Sequence, residues 1–114
     1  MRLESEELRH LNLLISNNYN EPLDGSAWNT ANFYKHPEKF RSTFYKFSQH
    51  CDLLIHCSYW APTAPVLFTK KDMHSRNFRI SVIADVTCDI NGSIPSTTQA
   101  STIENKFYGY NPLT

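Results

Sequence analysis

The chain has 114 residues, and its 11 Lys plus Arg balance 11 Asp plus Glu, so the formal charge is zero. Hydrophobic residues are 40% and aromatics 13%, a composition that excludes disorder and supports one domain at most. There is no basic stripe to attract nucleic acid or an anionic membrane surface, no apolar run of bilayer length and no signal peptide.

Residues 4–16 place Leu8, Leu11 and Ile15 on one side at helical spacing, with Ser5 as N-cap and Glu6 and Glu7 at the positive end of the helix dipole. This predicts an amphipathic helix ended by Asn17-Asn18. Residues 19–32 hold Pro22, Asp24-Gly25 and several asparagines and read as a loop. Pro37 fits the first position of a helix running to about Gln49, whose Phe40, Phe44 and Phe47 at i, i+4 and i+7 would pack on a sheet.

Leu53-Leu54-Ile55 reads as a short buried strand extended by His56 and Cys57, followed by the proline-stiffened loop from Tyr59 to Pro65. Thr69 can cap a short helix through Met73 or His74. Residues 80–87 are β-branched and almost continuously apolar, the pattern of a strand buried on both faces. Strand, crossover and strand make a βαβ unit, expected to be right-handed with parallel strands leaving from one sheet edge. Beyond Ser96 the chain turns Thr-, Ser- and Gln-rich, then extended through Thr102-Ile103 and from Phe107 to Tyr110. The expected class is α/β, a partial Rossmann-like parallel sheet with flanking helices. Residues 1–32 would be helix and loop, 33–98 the α/β unit, and 99–114 an extended, truncated segment of a larger two-domain enzyme.

The polar loop after the second strand carries the most chemistry. Asp89, Asn91, Gly92 and Pro95 lie there, and open α/β sheets place ligands outside the carboxyl ends of their strands. Asp89 heads a D-x-N-G turn, which an Asx-turn alone would explain. Asp85 lies within the apolar strand and has to be hydrogen-bonded, paired or protonated there. It is read as a satisfied structural acid or as a group that orients a cation or a ribose. Three cysteines, Cys51, Cys57 and Cys88, with no CxxC spacing suggest free thiols in a reducing, cytoplasmic compartment. His50-Cys51, His56-Cys57 and Cys88 match no standard zinc pattern, so no metal is expected. His56 and Cys57 are strand neighbours pointing to opposite faces, which disfavours a nucleophile pair. Gly92 also comes too soon after Asp89 for a calcium loop.

The run from Val82 to Pro95 resembles the late cofactor-domain segment of saccharopine dehydrogenases and lysine-ketoglutarate reductases, within the alanine dehydrogenase and transhydrogenase group. The run from Asp52 to Pro62 resembles the strand and Tyr-Trp loop that precede it in that family. Phe68-Thr69-Lys70-Lys71-Asp72-Met73 and the stretch from Ser101 to Tyr110 match in the same order. The resemblance implies Asp89 as a catalytic group near the nicotinamide and substrate, assisting proton handling or holding the dihydropyridine geometry. It implies Tyr59, Trp60, Asp85 and Cys88 as cofactor-binding residues, with NAD or NADP as cofactor and an amino acid or 2-oxo acid as substrate. The family's GxGxxG turn and its Lys and His acid–base groups are absent, so the resemblance implies one wall of a site. The partner would be a missing polypeptide half or a further copy of the chain. The alternative is a non-catalytic cofactor-domain half that acts as a binding or assembly module.

Overall fold

The parallel pair expected from the two apolar runs is present in the computed structural model, which describes residues 13–113. We label the strands β3 (Leu53–His56) and β4 (Val82–Asp85). They pair in parallel with Leu53 opposite Val82, Leu54 opposite Ile83, Ile55 opposite Ala84 and His56 opposite Asp85. The ladder continues at both ends: Val82 N–H donates to Asp52 C=O at 3.2 Å and Val86 N–H to His56 C=O at 2.9 Å. An exposed Arg79–Asp52 ion pair of 2.7 Å sits where the strands begin.

The burial of these strands differs from the expectation. β4 spans four residues rather than 80–87, and it alternates exposed and half-buried along its length. Leu53, Ile55 and Val82 face solvent, while Leu54 and Ile83 pack on the core. A two-stranded sheet with cover on one face is buried on one face only, however apolar its sequence.

Of the helix predicted over residues 4–16, residues 4–12 lie outside the described residues. Asn17 and Asn18, expected to stop it, sit inside a single helical turn, α1 (Ser16–Tyr19). Asn18 folds its side-chain carbonyl back to accept from the Ile15 N–H at 2.8 Å. The segment read as a loop over residues 19–32 holds β1 (Asn20–Pro22) and the start of α2 (Thr30–Lys35), which is capped by Asn29 accepting from the Asn32 N–H at 2.9 Å.

The helix expected from Pro37 to Gln49 is broken into three pieces. Pro37–Lys39 is a 3-10 turn, β2 (Phe40–Ser42) follows, and α3 (Tyr45–Ser48) is one turn long. β2 pairs antiparallel with β1, Glu21 opposite Arg41, and the two side chains form an ion pair across the ladder. Pairing with a distant strand outweighs the local helical preference, as it does wherever short elements compete. The phenylalanine stripe is thereby divided. Phe40 packs edge-on with Trp28 and Phe33, at ring centroid separations of 5.5 and 5.1 Å. Phe44 stacks on Phe68 at 5.9 Å in the main core, with Phe47 against it.

That core gathers Phe44, Leu67, Phe68, Ile80 and Ile94, with Tyr19, Leu54, Phe78 and Ile83 around it. The crossover between β3 and β4 contains α4 (Lys70–Met73), started as expected by Thr69, whose hydroxyl accepts from the Asp72 N–H at 3.1 Å while Asp72 accepts from the Thr69 N–H at 2.8 Å. No helix among the described residues is long and apolar enough to cross a membrane.

Ile94 is 0% exposed although it follows a polar turn, and this makes the core testable. Ile94→Ala is expected to lower stability by about 2–5 kcal/mol in urea unfolding. Ile103→Ala, at a residue 87% exposed, should change it by no more than about 0.5 kcal/mol.

Candidate functional site

The parallel register sets His56 and Asp85 side by side at the carboxyl ends of β3 and β4. Both side chains are buried, at 6% and 8% exposure, and His56 Nδ1 lies 3.0 Å from Asp85 Oδ1. Thr87 Oγ1 donates to the same oxygen at 2.8 Å, and Thr97 Oγ1 donates to Oδ2 at 2.6 Å. Burial pushes the Asp85 carboxyl up, but the hydrogen bonds from Thr97, His56 and Thr87, with the charge of the imidazole when protonated, outweigh it. The group is held below the usual carboxylate range. Asp85 is thus a fully satisfied acid, joining both strands to the loop beyond them.

That loop folds back onto the core at a second point. The Leu67 N–H donates both to Ser93 C=O at 2.9 Å and to Ser93 Oγ at 3.0 Å. Between these anchors runs the turn that begins at Asp89. The Gly92 N–H closes it on the Asp89 backbone carbonyl at 2.8 Å. Asn91 takes φ 59° and Cys88 φ 51°, two left-handed residues that let the chain double back. Gly92 is required by close approach, since a Cβ there would stand 2.6 Å from Asp89 Cβ. The Asp89 carboxylate accepts no hydrogen bond among the described residues, so the turn is a backbone turn and its acid is exposed to solvent.

The exit from β3 carries Tyr59 and Trp60. Tyr59 is 85% exposed, and Trp60 is half-buried with its indole N–H toward Pro65 C=O at 3.3 Å. Ser58 Oγ pairs with the Tyr19 hydroxyl at 2.8 Å. Two cavities flank this end of the sheet. A groove of about 840 Å³ is lined by Asp85, Cys88, Thr97, Lys106 and Tyr108. A smaller one of about 300 Å³ is lined by His56, Ser58, Tyr59, Trp60 and Ser93. The residues expected to bind cofactor are therefore divided: Asp85 and Cys88 face the groove, Tyr59 and Trp60 the smaller cavity. Asp89 lines neither, on the turn beyond.

His56, Thr87 and Thr97 were not expected at the site. The available signal was positional: both apolar runs end in a polar residue, and parallel pairing brings those ends together. Among the described residues no group of three or more His, Cys, Asp and Glu could hold a metal ion. All three cysteines are free thiols, and burial, then the neighbouring Asp52 charge, pushes the Cys51 thiol up.

No family model matches the sequence. The chain is similar to the alpha-aminoadipic semialdehyde synthase of Arabidopsis thaliana, a lysine-ketoglutarate reductase/saccharopine dehydrogenase, with 33% identity over 90 residues. The match covers 75% of this chain and only 8% of that relative's length. The resemblance read from the four motifs is thus found in a curated protein, over a small part of it.

The Asp85 geometry predicts a pH dependence. The folded carboxyl lies below its unfolded value of about 3.9, so its contribution is full above about pH 4 and is lost as pH falls through the folded value. Asp85→Asn should cost about 1–3 kcal/mol near neutrality. Urea unfolding of both proteins from neutral to acid pH should show the difference closing as pH falls below about 4, to within about half a unit.

Proposed function

We propose that the chain is a segment of an NAD(P)-dependent amino-acid dehydrogenase of the saccharopine dehydrogenase type, contributing one wall of the site where nicotinamide nucleotide and substrate meet. The observation that carries this reading is the 33% identity over 90 residues, a stretch long enough that it includes both β3 and β4. In this reading the two strands belong to a Rossmann-like sheet whose remaining strands lie elsewhere in the parent polypeptide. The solvent-facing Leu53, Ile55 and Val82 support it, because parallel sheets carry cover on both faces.

The residues present fit the nicotinamide end of a dinucleotide and not its phosphates. Trp60, Tyr59 and the hydroxyl groups of Ser58 and Thr97 offer ring faces and hydrogen bonds suited to a ribose and a planar ring. No Gly-rich turn at a helix N-terminus is present to cradle a pyrophosphate. When bound, the cofactor supplies a hydride acceptor or donor. The chain supplies orientation and a proton site. Asp89, its carboxylate unengaged by the turn that carries it, is the group that takes up or holds a proton beside the substrate. Asp85 is a positioning residue, fixing His56, Thr87 and Thr97 around the strand ends. The substrate class is an amino acid and its 2-oxo-acid partner, joined or separated at a C–N bond.

Two measurements test this reading. In the parent enzyme, Asp89→Asn preserves the turn, because Gly92 bonds the backbone carbonyl and not the side chain. Turnover is expected to fall by about 10²–10⁴-fold, with nucleotide affinity changing far less. Asn91→Asp in the same turn should have a small effect, and near-wild-type turnover for Asp89→Asn would return that acid to a structural role.

The isolated chain is expected to show no micromolar affinity for NADH in a fluorescence titration, for want of the phosphate anchor. Tight binding by the chain alone would contradict the one-wall reading.

A further inference from the structure

The smaller cavity holds a group that the dehydrogenase reading leaves unused. His56 commits Nδ1 to Asp85 at 3.0 Å, with Thr87 Oγ1 at 3.5 Å on the same nitrogen. Its Nε2 has no hydrogen-bond partner among the described residues. Yet no fully buried side-chain nitrogen or oxygen among those residues lacks a partner. Nε2 is therefore reached from outside, and the cavity of about 300 Å³ lined by His56 is where it is reached. A carboxylate facing Nδ1 favours the tautomer with its proton on that nitrogen, in which Nε2 presents a lone pair.

The surroundings of that lone pair are uniform in kind. Tyr19, Phe33, Tyr34, Tyr59 and Trp60 bring aromatic rings to the wall, with Ser58 and Ser93 beside them. Among the described residues no Lys, Arg, Asp or Glu lines the cavity. The formal charge behind it is the ionised Asp85, against the far side of the imidazole. Ring faces attract cations, an acceptor attracts an N–H, and a buried negative charge disfavours an anion.

We propose that this cavity binds a small organic ammonium ion, which donates an N–H to His56 Nε2 and rests its charge against the rings of Trp60 and Tyr59. The inference needs the cavity and the His56–Asp85 pair and applies to the chain without nucleotide, because the dehydrogenase reading gives Ser58, Tyr59 and Trp60 of the same cavity to the nicotinamide ribose and ring. Asp85 acts here as a positioning residue, setting the tautomer of His56 and adding its charge through the ring.

The test uses the whole chain, labelled with nitrogen-15, and three four-carbon probes that differ in their head group: n-butylammonium chloride, n-butanol and sodium butyrate. Butylammonium is expected to shift the Ser58 amide and Trp60 indole signals saturably in the millimolar range, an affinity open to a ligand of about five non-hydrogen atoms. Butanol should bind at least about fivefold more weakly, and butyrate should give no saturable shift. Equal affinity for the three, preference for butyrate, or no saturation by butylammonium would overturn the proposal. Trp60→Leu, remote from the Asp85 contacts, should weaken butylammonium by about fivefold. Unchanged affinity in that variant would overturn the assignment of the ring face.

Discussion

One buried carboxylate joins the parts of this structure that would otherwise separate. Asp85 receives His56 from β3, Thr87 from just past the end of β4 and Thr97 from the loop beyond. A two-stranded pair of four-residue strands has little stability of its own, and most of the chain between and after them is irregular. A buried charge left without partners would cost several kcal/mol, on the order of 3–5. The three donors therefore have to be present together, and their presence fixes the strand ends and the 97 segment as one unit.

The same constraint explains the form of the site. The polar loop is held at Ser93 by Leu67 and at Thr97 by Asp85, with Ile94 sunk into the core between them. Upstream of these anchors, Asp89 begins a turn whose hydrogen bond is made by backbone groups alone. A rigid base thus carries an acid that owes nothing to the fold. This is the arrangement expected of a residue available for chemistry, and it contrasts with Asp85, which the fold uses completely.

The aromatic residues show how the two small sheets coexist. Trp28, Phe33 and Phe40 close over the β1–β2 end, while Phe44, Phe68 and Phe78 fill the space beneath β3 and β4. The break falls between Phe40 and Phe44, where Ser42 Oγ donates to Leu67 C=O at 2.6 Å and accepts from the Phe44 N–H at 3.2 Å. One serine thus ends β2, starts the next turn and ties both to the segment that enters the core. On the opposite face of the β3–β4 pair Leu53, Ile55 and Val82 face solvent.

The sequence by itself determined the parts whose physics is local or pairwise simple. Two apolar runs separated by a crossover point to a parallel pair, and Thr69 with Asp72 specifies its capped turn through three residues of contact. The D-x-N-G pattern likewise contained its turn, since Asn tolerates a left-handed backbone and Gly admits the close approach. Phe40, Phe44 and Phe47 were legible as buried but not as divided, because helical spacing also fits a strand followed by a turn. Only the tertiary structure decided that β1 captures β2 and that β4 is covered on one face. It alone set His56 beside Asp85 with Thr97 closing over the pair, for a carboxylate's partners come from wherever packing brings donors near, and no periodicity records that.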